Sequence, residues 1–132
     1  MGGSQREDYV LRQIRVIAAM LARVAGLRLD SSLEEAKTEL QQAYGALLGP
    51  EAHLIRRMDP ATTASIVGST EKIFLLAQMA SEEAALETDP ARISVLRQRA
   101  VELCRETLRR DPAHEEAQAL LERETHGGSK DS

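Results

Sequence analysis

Between residues 93 and 124 the chain carries the phrase that most restricts its fold. Ala100, Cys104 and Thr107 recur at spacings of four and three, Arg110-Asp111-Pro112 follows, and Glu116-Ala117 and Leu121 open another amphipathic run. Those spacings place small side chains on one face of a helix, where a neighbouring helix can approach closely. Proline cannot sit inside a helix without breaking it. The phrase therefore describes a helix, a stop, and a second helix folded back. Units of that kind bury their apolar faces by stacking, and a thin polar helix closes the stack.

The rest of the chain is consistent with helices alone. Its aromatic residues are Tyr9, Tyr44 and Phe74, with no Trp, so the core must be built from Leu, Ile, Val, Met and Ala. Few stretches alternate at period two, and the expected fold class is all-α. Asp-Pro-Ala occurs at Asp59-Pro60-Ala61, Asp89-Pro90-Ala91 and Asp111-Pro112-Ala113. Asp accepts from free N–H groups at a helix start, and Pro suits the first helical position. Gly26, Gly49 and Gly68 read as stops. Ser31 or Ser32 ahead of Glu34 and Glu35 reads as a capping box, and Ser69-Thr70-Glu71 as a further start.

These signals predict helices over 8–27, 32–48, 51–58, 60–67, 69–87, 90–110 and 112–124, six or seven depending on whether the two short ones merge. The arrangement predicted is a set of stacked antiparallel hairpins with a capping C-terminal helix. A chain of 132 residues argues for one domain, here 8–124, between a flexible N-terminus (1–7) and a disordered tail (125–132).

The first helix has an apolar stripe at Val10, Ile14, Ile17, Leu21 and Val24, widened by Leu11, Ala18, Ala22 and Ala25. Val16, Met20 and Leu27 form a second strip, read as lying on nearly the opposite side, with Arg12, Arg15 and Arg23 as the polar edge. A helix apolar on two sides must be covered twice, within the domain or by another chain. Arg12, Arg15 and Arg23 are therefore the candidate rim of a partner-binding surface, and Val16, Met20 and Leu27 its candidate anchors.

Charge alternates along the chain. Residues 6–29 carry five Arg and two acids, 30–53 five acids and one Lys, 81–91 four acids and no base, and 92–110 six Arg and two Glu. Neighbouring antiparallel helices of opposite sign complement each other. The net charge of −4, and the lack of an aromatic in 90–110 to stack a base, argue against a nucleic-acid ligand.

Catalytic groupings are not visible. His114-Glu115-Glu116-Ala117-Gln118 begins like a zinc-protease helix, but Gln118 stands where the second His is needed. His114 reads as a first-turn surface residue. Cys104 reads as a small core residue, since Cys is among the most buried types. Adjacent acids such as Glu82-Glu83 point roughly 100° apart on a helix and make no acid–base pair. The chain is thus expected to be no enzyme, with no cofactor and no metal. Acids at Glu7 and Asp8, and arginines within the first apolar run, match neither a signal peptide nor a membrane span. A single cysteine fits a reducing, cytoplasmic setting.

Residues 93–124 resemble the tetratricopeptide repeat, specifically its second helix and the opening of the next repeat. Ala100, Pro112, Ala117 and Leu121 carry the resemblance. Cys104 stands where the family prefers an aromatic and Thr107 where it prefers Ala. The resemblance implies stacked helical hairpins with a concave surface for peptides or proteins, and no activity. Asp8-Tyr9-Val10-Leu11-Arg12-Gln13-Ile14 is similar to the start of some small bacterial helical proteins, which implies no function. The expected role is protein–protein contact, as an adaptor or as a self-associating subunit such as a homodimer. The alternative is a regulatory module binding nucleic acid or another polyanion through the arginines of 92–110.

Overall fold

Short connections between long amphipathic runs leave each run little choice but to pack on its neighbours. The computed structural model describes residues 2–130, with side chains from 7 to 126, and it is 87% helix, with no strand among those residues. Seven α-helices follow in order: α1 Gly2–Leu29, α2 Leu33–Leu48, α3 Ala52–Ile55, α4 Pro60–Val67, α5 Thr70–Leu86, α6 Pro90–Arg110 and α7 Glu115–Lys130. A 3₁₀ turn, Gly49–Glu51, leads into α3. α1 packs on α2, α5 on α6, and α6 on α7. α5 also touches α1, α2, α4 and α7, and α4 lies against α6.

The core follows the apolar spacings. Ile17, Leu21 and Val24 of α1, Leu40 of α2, Ile73 and Met79 of α5, and Leu103 and Cys104 of α6 are all buried. Ala36, Ala43, Ala77, Ala100 and Ala117 are fully enclosed, so helices meet there with no bulk between them. Among the described residues no buried side-chain nitrogen or oxygen lacks a partner.

Two of the three expected glycine stops hold. Gly49 (φ 75°) and Gly68 (φ 73°) end α2 and α4 at a positive φ that glycine adopts without strain. Gly26 does not stop α1. The stop comes at Ser31 (φ 64°), whose N–H bonds the Arg28 carbonyl at 3.0 Å while Ser32 N–H bonds the Leu27 carbonyl at 2.8 Å. Nothing after Gly26 breaks the helical ladder, so the helix continues until the chain must turn for α2. The capping box expected at Ser32 is also missing, because the Ser32 side chain makes no cap bond.

The three Asp-Pro-Ala copies diverge. Asp59 accepts from Thr62 N–H at 3.0 Å and opens α4; Asp89 accepts from Ala91 N–H at 3.1 Å and opens α6. Asp111-Pro112-Ala113 instead forms a turn, in which His114 N–H bonds the Asp111 carbonyl at 3.1 Å, and α7 begins at Glu115. The cap of α7 is His114, whose Nδ1 accepts from Ala117 N–H at 3.1 Å.

The ends differ from expectation as well. α1 is helical from Gly2 rather than from residue 8, and α7 runs to Lys130 rather than stopping at 124. Ser4 to Glu7, and Thr125 onward, hold no proline to interrupt a helix already nucleated. Met1, Asp131 and Ser132 of the expected flexible ends lie outside the described residues. No helix of the described residues is long and apolar enough to cross a membrane.

Candidate functional site

Tyr9, Val16, Met20 and Leu27 fall at intervals of seven, four and seven, and so share one face of α1. Tyr9 is 63% and Val16 59% exposed, so more than half of each faces solvent. Met20 and Leu27 are half-buried against the core. The second strip is therefore not opposite the core, as the spacing suggested, but on its flank. α2 crosses there: Gln13 Nε2 donates to the Ala46 carbonyl at 3.2 Å, and Arg23 Nε lies 3.7 Å from Glu39 Oε1. Arg12 donates to the Asp8 carbonyl of its own helix, and Arg15 is exposed. Of the six candidate residues, Arg12, Arg15, Val16 and Arg23 are exposed, Met20 and Leu27 are half-buried on the flank, and Arg12 and Arg23 lie beside the Tyr9–Val16 strip.

The other flank of α1 is made of small residues. Ala18, Ala22 and Ala25 form, with Gln78 and Ser81 of α5 and Glu116, Leu120 and Arg123 of α7, a groove of about 320 Å³. Arg28 Nε ties α1 to Glu82 of α5 at 2.9 Å, and Ser81 Oγ donates to Glu124 of α7 at 2.5 Å. The expected complement between basic α1 and its acidic neighbours is realised in Arg23–Glu39 and Arg28–Glu82.

His114 is not a surface residue. It is 8% exposed, its ring lies 4.7 Å from that of Phe74, and its Nε2 is 3.3 Å from Glu71 Oε1. With Nδ1 accepting the Ala117 N–H, the ring proton belongs on Nε2, facing Glu71. Sequence spacing pointed to a half-formed metal motif here, whereas the imidazole holds the end of α7 against α5. Cys104 is fully enclosed, and burial pushes its thiol up to about 12, far from nucleophilic use.

A cavity of about 780 Å³ lies between α2, the α3–α4 segment, α5 and α6. Its wall holds Arg56, Arg57, Arg92 and Arg99, with His53, against two carboxylates, Glu83 and Glu102. Glu83 is heavily used. Its Oε1 accepts from the Tyr44 hydroxyl at 2.8 Å, and its Oε2 accepts from Arg56 at 2.9 Å and Arg92 at 3.3 Å. Arg56 also stacks 3.8 Å over the Tyr44 ring. Burial first, and then the Glu83 charge, raise the Tyr44 hydroxyl far above its ordinary value, so it remains a donor.

The arginines of 92–110 do not form one basic stripe. Arg92 is held by Glu83 and Glu87, and Arg109 and Arg110 by the buried Glu106 of their own helix. The short segment carrying Arg56 and Arg57 was not singled out by sequence. Its adjacent arginines, with no acid closer than Asp59 on one side and Glu51 on the other, were the available signal. Comparison with known protein families, with curated proteins and with solved structures finds no match to this chain.

Proposed function

We propose that the protein is a non-catalytic helical module that acts by binding protein, and that its contact surface is the outward strip of α1. The observation that carries this reading is the exposure of Tyr9 and Val16 on one face, continuous with the half-buried Met20 and Leu27. Apolar side chains aligned at helical spacing and flanked by Arg12 and Arg23 suit a helix-to-helix contact, in which apolar anchors supply affinity and charges choose the partner. The strip repeats itself two helical turns apart, so a second copy of the same helix is a natural occupant, and the form proposed is self-association.

The packing order supports the repeat-like part of the reading. In a tetratricopeptide-like stack the first helix of each hairpin touches its own partner and the first helix of the next hairpin. Here α1 and α2, then α5 and α6, then α7 would be successive members, with 49–69 inserted between the first two hairpins. The contacts α1–α2, α1–α5, α2–α5, α5–α6, α6–α7 and α5–α7 fit that order. The test is to change Val16 to Asp and follow both mass and helical content. Loss of association with the fold intact supports the reading; unfolding of the monomer would mean that Val16 packs internally.

A further inference from the structure

The wall of the cavity between α2, α5 and α6 carries four arginines and two carboxylates, Glu83 and Glu102. Of its four arginines, Arg56 and Arg92 share Glu83, and Arg92 adds Glu87. Arg99 has no carboxylate partner among the described residues. Its Nη1 donates to the Met58 carbonyl at 2.6 Å and its Nη2 to Thr63 Oγ1 at 3.2 Å, both neutral acceptors, which leaves its Nε–H unclaimed. Arg57, exposed at the rim, makes no ion pair among the described residues. Glu102, the second carboxylate of the wall, accepts from the neutral Gln98 at 3.3 Å.

Burial, and then the Arg56 charge, lower the Arg99 pKa, while Tyr44, Glu83 and Asp59 oppose the shift. A guanidinium so placed, with its Nε–H and the second hydrogens of its Nη groups still to give, can donate to an oxyanion, and the opposite charge strengthens each such bond. The walls also offer the apolar surfaces of Leu96, Val95 and Pro60. A cavity of several hundred cubic ångströms in which charged groups converge beside a small apolar surface falls in the size range of small-molecule sites.

We infer that this cavity binds a small organic oxyanion, a carboxylate or phosphate ester, held between Arg99 and Arg57 with Arg92 at the side. Glu83 has the complementary task. By holding Arg56 on the Tyr44 ring and Arg92 against α5, it fixes the site's walls before any ligand enters. The site is independent of the α1 surface, so either can fail without the other.

Calorimetric titration with citrate and, separately, with phenyl phosphate tests the site on the full chain. The expected result is one-to-one binding of at least one probe with Kd below about 1 mM, and the preferred probe names the anion. Arg99→Gln and Arg57→Gln should each weaken it about tenfold or more, and Arg109→Gln, on α6 outside the cavity, should leave it unchanged. Arg57→Gln keeps the test valid should Arg99→Gln loosen the Met58 turn. Absence of binding by both probes overturns the inference. So does equal weakening by Arg109→Gln, or binding confined to polyglutamate or an oligonucleotide, since each would reflect general charge in place of a built site.

Discussion

α1 and α5 are both long helices with apolar stripes, yet they are covered very differently. α5 buries Ile73 to Ala77 in an unbroken run, together with Met79, Ala80, Ala84 and Leu86, because α1, α2, α4, α6 and α7 all touch it. α1 buries Ile17, Leu21 and Val24 against α2 and α5, and leaves Tyr9, Leu11, Val16 and Leu29 exposed. Helix composition alone does not tell the two apart. The neighbours do: α5 is enclosed by five helices, whereas α1 packs chiefly on α2 and α5.

That contrast can be broken by truncation. Met79→Ala in α5 should lower unfolding free energy by about 3 kcal/mol through lost burial and a cavity, read from urea unfolding. Val16→Ala in α1 should change it by no more than about 0.5 kcal/mol at concentrations where the chain is monomeric. Equal losses would mean that α1 is as enclosed as α5.

His114→Ala comes next in size. It removes the cap on Ala117 N–H and the ring packed on Phe74, and about 2 kcal/mol is expected from the two together. The loss should be accompanied by faster amide exchange in α7 than in α2. Smaller and of opposite sign is Ser31→Gly. Ser31 holds the left-handed conformation that glycine adopts freely, so the change should raise stability by about 1 kcal/mol.

The smallest effect is acidic. The hydroxyl and N–H of Thr62 hold the Asp59 carboxyl below its ordinary range, and the N–H groups of Asp89 and Thr88 do the same for Glu87. A carboxyl depressed in the folded state stabilises the fold above its unfolded value, and that contribution is lost as pH falls through the folded value. The urea midpoint should drop below the ordinary carboxylate range, and Asp59→Asn with Glu87→Gln should flatten part of that slope.

Local signals were read well where the chain acts on itself. The Asp59 and Asp89 starts, the Gly49 and Gly68 stops and the stripe Ile17–Leu21–Val24 all depend on residues within a turn or two of one another. The same rules misread positions decided at a distance. Asp111-Pro112-Ala113 repeats a helix start letter for letter, but His114, three residues on from Asp111, finds Phe74 and Glu71 on α5 and takes over the cap. Gly26 looked like a stop until Ser31 supplied one. Met20 and Leu27 looked like a far side, but α2 crosses close enough to cover half of each. The arginine cavity was least visible of all, because Tyr44, Arg57, Glu83 and Arg99 are brought together from four separate elements and share no motif.

Light scattering across a concentration series, on the wild-type chain and on Val16→Asp, tests the contact role of α1 most directly. The account predicts a wild-type mass rising towards twice the monomer as concentration increases, and a Val16→Asp chain that stays monomeric with unchanged helical content. A wild-type chain that is monomeric throughout, or a Val16→Asp chain that associates as the wild type does, would contradict it.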